Sequence, residues 1–381
     1  MEMAVTELKK NKALLCLECG KCTAVCPISA YDREFSPRRM LAEGIFYGGG
    51  DLISDKRLWS CLTCLLCSER CPVDVRYSEY MKGVREIAQK QGNWGEPSHG
   101  SALLHIMEMM TAPKLNQNRT GWINGNIKTA EKSDVLFFTG CLPYYEDFFA
   151  KDFDFHPISI AVDTVRILNH LKIKPAVLPN ERCCGHDLYW LGKIDEFNKL
   201  RELNLKEFER SEAKTIVTAC AECAYTLKEL YVKKLGLNSI EVKHISELVA
   251  ENIDRFKFKD QNLKITYQDP CRLGRHLNIY DSPRDAMKAV PGMDLNEMPH
   301  NKRGSICCGT TNWMNCGASS SRIQKARLTE AKNTGADTLV TACPKCQIHF
   351  RCSQCGKGKD KEKTDIKLKD FTNIIASAID G

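Results

Sequence analysis

The chain has 381 residues, and at roughly 150 residues per domain this length predicts two or three domains. Charged residues make up 27% of it and apolar residues 43%, a balance that excludes a disordered protein. No stretch approaches about 18 consecutive apolar residues, and the opening MEMAVTELKK lacks the apolar core of a signal peptide. We therefore expect a soluble, cytoplasmic protein.

The most informative feature of the composition is its 21 cysteines. In a short secreted chain they would indicate disulfides, but this chain is long and its sequence predicts a reducing compartment. Reduced thiols that cluster along a sequence are typical of metal sites. The sequence therefore predicts a metal-binding protein.

The first eight cysteines form two runs of identical spacing, each with a proline after its fourth cysteine. This is the bacterial ferredoxin pattern, in which three cysteines bind one cubane [4Fe–4S] cluster and the fourth binds the other cluster. The predicted ligands are Cys16, Cys19, Cys22 and Cys71 for one cubane, and Cys61, Cys64, Cys67 and Cys26 for the second. A pair of zinc sites is the alternative, but zinc sites seldom use a repeated three-plus-one arrangement.

Bound clusters would also change the charge of the protein. Its formal net charge is +7, which counts every thiol as neutral. A cubane core with four thiolates carries about −2, so two of them reduce the net charge to roughly +3. The basic charge is therefore a weak argument for nucleic-acid binding, and we expect no nucleic-acid partner.

Helical patterns surround these cysteine runs. Ser36, followed by Pro37 and an apolar stretch, predicts the start of a helix, so we expect residues 1–91 to form a helical ferredoxin domain. Residues 92–130 are rich in Gly, Asn and Pro, which indicates a linker or docking segment with a short apolar helix at SALLHIMEMM. We interpret three methionines as packing residues of that helix: Met107, Met109 and Met110.

From residue 131 the chain contains an internal repeat of two units, 131–260 and 261–381. In each unit an apolar run ends at a cysteine, a Cys-Cys-Gly follows, and a run TIVTA or TLVTA precedes a Cys-x-x-Cys. The first set is Cys141, Cys183, Cys184, Cys220 and Cys223, and the second is Cys271, Cys307, Cys308, Cys343 and Cys346. Alternating strands and helices predict two α/β units with parallel strands and cysteines at the strand ends. Gly185 and Gly309 would permit a bulky ligand to approach the backbone.

The remaining residues of interest leave two interpretations open. His186 and His276 are expected either to deliver protons or to be hydrogen-bonded histidines near a polar site. Three further cysteines form either a small metal site beside Cys346 or unligated thiols: Cys316, Cys352 and Cys355. The lysines of 357–369 are expected to form a solvated tail.

The duplicated five-cysteine pattern resembles the cysteine-rich CCG domains of the heterodisulfide reductase family. With its N-terminal double ferredoxin, the chain resembles the D subunit of that family, a single chain that corresponds to the separate C and B subunits of other members. The resemblance implies that each set binds one noncubane [4Fe–4S] cluster. It also implies an α+β multidomain fold, with an N-terminal α-helical double-cluster ferredoxin domain followed by two pseudo-twofold-related α/β CCG units. The segment from Thr310 to Cys316 replaces a glycine run of many relatives, and we expect it, with Trp313, to border the substrate cavity.

The function implied by the resemblance is reduction of a mixed disulfide of two small thiol cofactors, coenzyme M and coenzyme B in the type family. The ten cysteines of both sets would be catalytic as well as cluster ligands, and the two cubanes would supply the electrons. No flavin or nicotinamide fingerprint is evident, so we expect electrons from a flavin-containing protein like the A subunit of heterodisulfide reductases, or from a membrane cytochrome b. Such a partner would place the chain at the inner face of the membrane.

Two other functions compete with this interpretation. The first is an electron-transfer iron–sulfur subunit of a 2-hydroxy acid or glycerol-3-phosphate oxidising complex, or of a sulfate-reducing membrane complex. The second is dithiol chemistry at a Cys-x-x-Cys, which would need only two cysteines and no iron. The completeness of both five-cysteine sets favours a pair of active-site clusters.

Overall fold

The structure is a computed structural model, and it describes residues 2–153, 155–356 and 364–380. The helices are α1 (Glu2–Lys10), α2 (Lys21–Ala24), α3 (Pro37–Tyr47), α4 (Gly50–Ser54), α5 (Tyr77–Lys90), α6 (Ala102–Met109), α7 (Leu142–Phe153), α8 (Ile158–His170), α9 (His186–Leu191), α10 (Ile194–Ser211), α11 (Ala221–Tyr225), α12 (Ile245–Glu251), α13 (Asp281–Lys288), α14 (Ala318–Lys332), α15 (Pro344–Cys355) and α16 (Phe371–Ala378). The strands are β1 (Val135–Phe137), β2 (Thr215–Thr218), β3 (Glu241–His244), β4 (Leu263–Gln268), β5 (Met293–Leu295), β6 (Thr338–Thr341) and β7 (Lys367–Asp370).

The N-terminal part, before β1, is built from helices α1 to α6. Helix α3 begins where the sequence predicts it: Ser36 Oγ accepts a hydrogen bond from the amide of Arg39 (3.3 Å), and Pro37 occupies the first turn. Helix α5 packs against α1 and α4, so the two cysteine runs lie in the loops that these helices hold together. The expected helical ferredoxin-like part is therefore present.

The apolar helix of the 92–130 segment is α6. Met107 and Met110 are buried in the core, as expected of packing residues. Met109 exposes 58% of its surface, so the prediction was wrong for this side chain. The reason is helical periodicity, because successive residues point about 100° apart and cannot all face one core.

The first α/β unit contains a parallel sheet of order β1-β2-β3. Strand β2 lies between its neighbours, with Thr215 opposite both Val135 and Glu241. On the outer side of β1, Ala176 forms an isolated parallel bridge to Leu136. The predicted run TIVTA is β2, which ends two residues before Cys220.

The second α/β unit contains a four-stranded parallel sheet of order β5-β4-β6-β7. Its two central strands pair with Ile265 opposite Thr338, and Thr338 also lies opposite Lys367 of β7. The bridge at Ala176 occupies in the first unit the position that β5 has here, so both units have the same strand order. The prediction of mixed helices and parallel sheets is confirmed.

The prediction of a solvated tail over residues 357–369 was wrong for the last residues of that range. Lys367 and Lys369 lie on β7, which alternates exposed lysines with the buried Leu368 and Asp370. The lysines do face solvent, but the strand is fixed because its other face is packed in the core. Residues 357–363 lie outside the described residues.

The two units pack against each other through equivalent helices. Helix α16, which follows the last strand of the second unit, packs on α8 of the first. Helix α12, which follows the last strand of the first unit, packs on α13 of the second. Helix α5 of the N-terminal part contacts α9, so all three parts of the chain meet near the Cys-Cys-Gly of the first unit.

Candidate metal centres and catalytic site

Four cysteines predicted to hold one cubane line a single cavity: Cys16, Cys19, Cys22 and Cys71. Cys67, which is predicted to bind the other cubane, also reaches this cavity. The loop is shaped by a left-handed residue, Glu18 (φ 50°), whose amide donates a hydrogen bond to Cys16 Sγ (3.4 Å). Amide hydrogen bonds to cysteine sulfur are a feature of iron–sulfur loops, where they tune the reduction potential. This arrangement fits one cubane.

Cys26 lies away from that cavity, beside the second cysteine run. Burial is the main cause that raises the pKa of its thiol to about 12, and the charges of Cys64 and Cys61 add to it. The second loop repeats the backbone of the first, since Thr63 (φ 47°) donates its amide to Cys61 Sγ (3.4 Å). The fourth cysteine of the first run therefore faces the other run, as the ferredoxin pattern predicts.

The five cysteines of the first set line one cavity at the end of β1 and β2. Cys184 and Cys223 are 3.5 Å apart between their sulfurs. Gly140 (φ 65°) precedes the first cysteine, and a Cβ on it would lie 3.0 Å from Cys223 Sγ. Sequence reasoning missed this glycine, although its position directly before Cys141 was a signal.

The thiols of the second set form a continuous row in which neighbours shift each other's pKa. The neighbouring pairs are Cys271 with Cys307, Cys307 with Cys308, Cys308 with Cys346, and Cys346 with Cys343. His349 places Nδ1 3.3 Å from Cys308 Sγ, while its Nε2 is buried without a partner. The second set thus has an imidazole nitrogen beside a cysteine sulfur. Among the described residues, the first set has no equivalent bond between a histidine and one of its cysteines.

Two thiol contacts join the sets to each other and to the N-terminal part. The thiol of Cys220 in the first set lies close enough to that of Cys343 in the second for each to shift the pKa of the other. The thiols of Cys64, in the second ferredoxin run, and Cys307 are neighbours in the same sense. The second set therefore lies between the ferredoxin loop and the first set.

Gly185 and Gly309, at which the sequence predicts close approach of a ligand, both have left-handed backbone. A Cβ on Gly185 (φ 81°) would meet the ring of Phe197 at 2.7 Å. A Cβ on Gly309 (φ 94°) would meet the carbonyl oxygen of Ser320 at 2.9 Å. Left-handed backbone and close packing of the following long helix each favour glycine at these two positions. The approach of a ligand to them stays a prediction.

A buried ion-pair cluster fills the space between the two Cys-x-x-Cys loops. Lys345 lies between Cys343 and Cys346, and its Nζ contacts Asp187 Oδ1 (2.5 Å) and Glu222 Oε2 (2.8 Å). Glu222 occupies the matching spacer of the first unit. Sequence reasoning missed this cluster, although charges of opposite sign in the two spacers were a signal.

Arg272 connects the three parts of the chain. Its guanidinium donates to His186 Nε2 (2.8 Å) and to Thr63 O (2.8 Å), and it lies 4.3 Å from the centre of the Trp190 ring. Burial and the Arg272 charge lower the pKa of His186 to about 3, and its Nδ1 is 2.9 Å from Asp187 Oδ1. His276 Nε2 lies beside the same guanidinium and 2.9 Å from Thr63 O, and burial lowers the pKa of this histidine. These are the contacts of hydrogen-bonded histidines.

Trp313 lies next to the first-set cavity but is itself buried. Its ring is 5.8 Å from that of Tyr145, which lines the cavity, and 5.0 Å from Lys345 Nζ. The Trp313 Nε1 atom is buried without a hydrogen-bond partner. Trp313, in the segment expected to border the cavity, thus packs behind the residues that line the first-set cavity.

The three remaining cysteines do not converge with Cys346 into a compact metal site. Cys352 lies near enough to Cys316 and Cys355 to feel their charges, yet burial is the main cause that raises its pKa. Within the described ranges, the group of metal-ligating side chains that meets within 4.8 Å is His186, Asp187 and Glu222. The Lys345 ion pairs already neutralise those carboxylates.

The donor sets fit iron–sulfur clusters. Thiolates are soft ligands that favour iron–sulfur clusters, zinc or copper, and each of two cavities here is lined by five cysteines. The cysteines of the second ferredoxin run, and those of the second five-cysteine set, are near enough to shift each other's pKa. The ligand assignments themselves remain predictions.

In the described part of the chain (residues 2–153, 155–356 and 364–380), no helix is long and apolar enough to cross a membrane.

Two protein families match this chain. The cysteine-rich domain family CCG matches residues 135–228 and 265–351. The 4Fe-4S dicluster domain family matches residues 12–75. The matched regions contain both ferredoxin runs and both five-cysteine sets.

Relatives with assigned names include components of redox complexes. The chain is 29% identical to the D subunit of the dihydromethanophenazine:CoB–CoM heterodisulfide reductase of Methanosarcina barkeri, over 96% of this chain and 93% of that protein. It is 28% identical to the B subunit of the fumarate reductase (CoM/CoB) of Methanothermobacter marburgensis, over 95% of this chain and 72% of that protein.

A crystal structure of a hypothetical protein from Helicobacter pylori has a similar fold. It superposes with a TM-score of 0.56 at 11% identity, over 91% of this chain and 68% of that one. At this identity the likeness concerns the fold alone.

Proposed function

We propose that this chain is the catalytic subunit of a heterodisulfide reductase-like complex. The chain belongs to the CCG-domain iron–sulfur proteins related to the D subunit of heterodisulfide reductase. It reduces a mixed disulfide of two small thiol cofactors, of the CoM-S-S-CoB type. The observation that carries this proposal is the contact between Cys220 and Cys343, because it brings two complete five-cysteine sets to one place.

The proposed cofactors are two cubane and two noncubane [4Fe–4S] clusters. The ferredoxin runs hold the cubanes, with Cys26 and Cys71 exchanged between them, and the five-cysteine sets hold the noncubane clusters. When bound, these clusters supply electrons one at a time and iron sites that accept thiolate sulfur. Reduction of one disulfide consumes two electrons and two protons and releases two thiols.

The residues around the two sets keep this site dry and electrically balanced. Lys345 holds a positive charge between the Cys-x-x-Cys loops, and the Asp187 carboxylate balances it. Burial raises the pKa of Glu222, the other contact of Lys345, and so favours its neutral form. Trp313 and Tyr145 close one side with apolar surface. Water exclusion strengthens electrostatic interactions inside the site, so the charge of each thiolate is felt across both loops.

Electrons enter, in this proposal, through the ferredoxin part. The contact of Cys64 with Cys307 makes the second set the receiver, and the contact of Cys343 with Cys220 extends the route to the first set. The donor is a flavin-containing protein like the A subunit of heterodisulfide reductases, or a membrane cytochrome b. The cytochrome would hold the chain at the inner face of the membrane.

The test is an EPR titration of the anaerobically purified, pre-reduced protein with candidate disulfides. We expect the heterodisulfide of coenzymes M and B, or a close analogue, to oxidise the protein and to perturb a cluster signal. Cys220→Ser should abolish that perturbation, whereas Cys316→Ser, a thiol outside both sets, should keep it. A signal that no disulfide changes would contradict the proposal.

A second candidate function is electron transfer without disulfide chemistry. It is favoured by the closed interior, since none of the ten cysteines is exposed and ion pairs fill the space between the loops. The chain would then be the iron–sulfur subunit of a 2-hydroxy acid or glycerol-3-phosphate oxidising complex, or of a sulfate-reducing membrane complex. In the same titration it would be oxidised by a quinone analogue and show no disulfide-dependent signal.

A further inference from the structure

The mouth of the first ferredoxin cavity carries an exposed apolar surface. Leu14, Leu15 and Leu17 expose 48%, 55% and 64% of their surface and flank Cys16 on both sides. We call these three leucines, together with Lys21 and Arg38 at the cavity wall, the mouth patch. Exposed leucines packed this densely next to a metal ligand are costly unless something covers them.

The mouth patch is also positively charged. Lys21, Arg38 and the nearby Arg70 are exposed, and none of them is ion-paired with any other residue that the structure describes. The carboxylate in this cavity wall is that of Glu18. The rim therefore presents more cations than anions to an approaching molecule, and a partner with carboxylates on its rim would be complementary to it.

The cavity behind the patch reaches the protein surface at one of its own cysteines. Cys19 is exposed, in contrast to the buried Cys61 and Cys64 of the second run. Electron transfer weakens steeply with distance, so a protein donor has to approach a cluster where its ligands reach the surface. A small apolar centre within a charged rim is the design of weak electron-transfer interfaces.

We propose that the mouth patch is the docking surface of an acidic electron-donating protein. This inference rests on the proposed function in one respect, the entry of electrons through the ferredoxin part. The three leucines form the dry centre of the interface, and Lys21, Arg38 and Arg70 pair with carboxylates of the donor. The donor passes one electron at each encounter to the centre held by Cys16, Cys19, Cys22 and Cys71.

The test measures the rate at which a reduced acidic ferredoxin reduces the anaerobic holoprotein, by stopped-flow absorbance at low ionic strength. The double variant Lys21→Glu and Arg38→Glu should lower the second-order rate constant about tenfold, because reversed charges repel the donor. The double variant Leu15→Ser and Leu17→Ser should lower it by a similar factor. High salt should reduce the effect of the charge variants but not that of the serine variants.

A matched control is available on the same domain. Phe46 and Tyr47 expose 67% and 77% of their surface at the far end of α3, about 13 Å along the helix from Arg38. Phe46→Ser with Tyr47→Ser should leave the rate constant unchanged. Photoreduced deazaflavin, which has no protein surface, should reduce all variants equally, which shows that their clusters are intact.

Several outcomes would overturn the inference. Equal ferredoxin rates for wild type and mouth-patch variants would do so, and so would a wild type that accepts no electrons from ferredoxin. Binding of the patch to anionic vesicles, lost in the serine variant while the ferredoxin rate persists, would instead identify a membrane-facing surface. Failure of disulfide reduction is read separately, from reoxidation of the deazaflavin-reduced protein by the heterodisulfide.

Discussion

Arg272 joins two cysteine-bearing segments, because its guanidinium is hydrogen-bonded to the second ferredoxin loop and to the residue after the Cys-Cys-Gly of the first unit. It is 1% exposed, and it donates to Thr63 Oγ1 (2.6 Å) as well as to the backbone beside it. A buried positive charge beside a cluster stabilises the reduced form, which carries one more negative charge. Arg272 is therefore expected to tune the centre that receives electrons before the five-cysteine sets.

Replacing Arg272 by Gln should lower the reduction potential of the cluster assigned to Cys61, Cys64, Cys67 and Cys26. A unit charge about 8 Å away contributes about 2 kcal/mol at an effective dielectric constant of about 20. For one electron this is roughly 90 mV. An EPR-monitored redox titration measures the shift, and Arg272→Lys, which keeps the charge, should retain most of the wild-type potential. Equal potentials in the Gln variant and the wild type would contradict this role.

Asp370 gives the fold a pH dependence of its own. Its Oδ1 accepts hydrogen bonds from Thr372 N (2.9 Å) and Oγ1 (2.8 Å) at the start of α16, while Oδ2 is buried without a partner. Burial raises the pKa of this carboxyl to about 7, whereas in an unfolded chain it is about 4. Between these values the folded chain holds a proton that the unfolded chain has released, so stability falls as pH rises from about 4 to 7.

Asp370→Asn should therefore be more stable than the wild type at pH 8, and the difference in stability should shrink as the pH falls and be small at about pH 4. Asparagine keeps the oxygen that caps α16 and has no charge to bury, and about three pKa units correspond to a loss in the wild type of roughly 4 kcal/mol. Thermal unfolding of the holoprotein across this range measures the difference. Asp370→Ala is the control, since it loses the cap at every pH, at about 1 kcal/mol. Parallel pH profiles of the wild type and the Asn variant would show that this carboxyl does not titrate as described.

The two ferredoxin loops act as a pair because each supplies one cysteine to the other. Cys26→Ser should impair the cluster on Cys61, Cys64 and Cys67, while Cys71→Ser should impair the cluster on Cys16, Cys19 and Cys22. The reason is the placement of Cys26 beside Cys61 and Cys64. Iron anomalous diffraction from crystals of each variant locates the missing density. If Cys26→Ser empties the site nearest to it in sequence, the exchange of ligands is wrong.

The sequence was most informative where structure depends on neighbouring residues. The start of α3 at Ser36 and the strand before Cys220 follow from local capping and apolar patterns, and both are observed. The bond from Lys345 to Asp187 joins residues 158 positions apart, and no local pattern reveals such a partner. Strand β7 was missed for a different reason. Its exposed lysines alternate with the buried Leu368 and Asp370, and the many lysines nearby in the sequence hide this alternation of exposed and buried positions.

The pairing of helices α8 with α16 and α12 with α13 is what a pseudo-twofold relation of the two units would produce, and that relation remains a prediction. The shared strand order of the sheets supports it. The units differ where function requires it, since the second alone contacts the ferredoxin loop through Cys307 in the described chain. We infer that duplication created two similar sites and that position then made them unequal.

The metal content of the complete protein checks the cluster count directly. Four [4Fe–4S] clusters predict on the order of sixteen irons per chain. Inductively coupled plasma mass spectrometry on the anaerobically isolated protein, combined with Mössbauer spectroscopy, measures both amount and type. About eight irons with purely cubane spectra would remove the noncubane assignment and leave only the ferredoxin clusters.

The burial of the ten CCG cysteines has a consequence for the biogenesis of the protein. Seven of them are buried and the other three half-buried, and the N-terminal helices close over the second set through Cys64. We therefore expect iron and sulfide to reach these positions more readily before the units pack together than afterwards. The first ferredoxin site, where Cys19 is exposed, is expected to be rebuilt more readily after oxygen damage than the sites of the two five-cysteine sets.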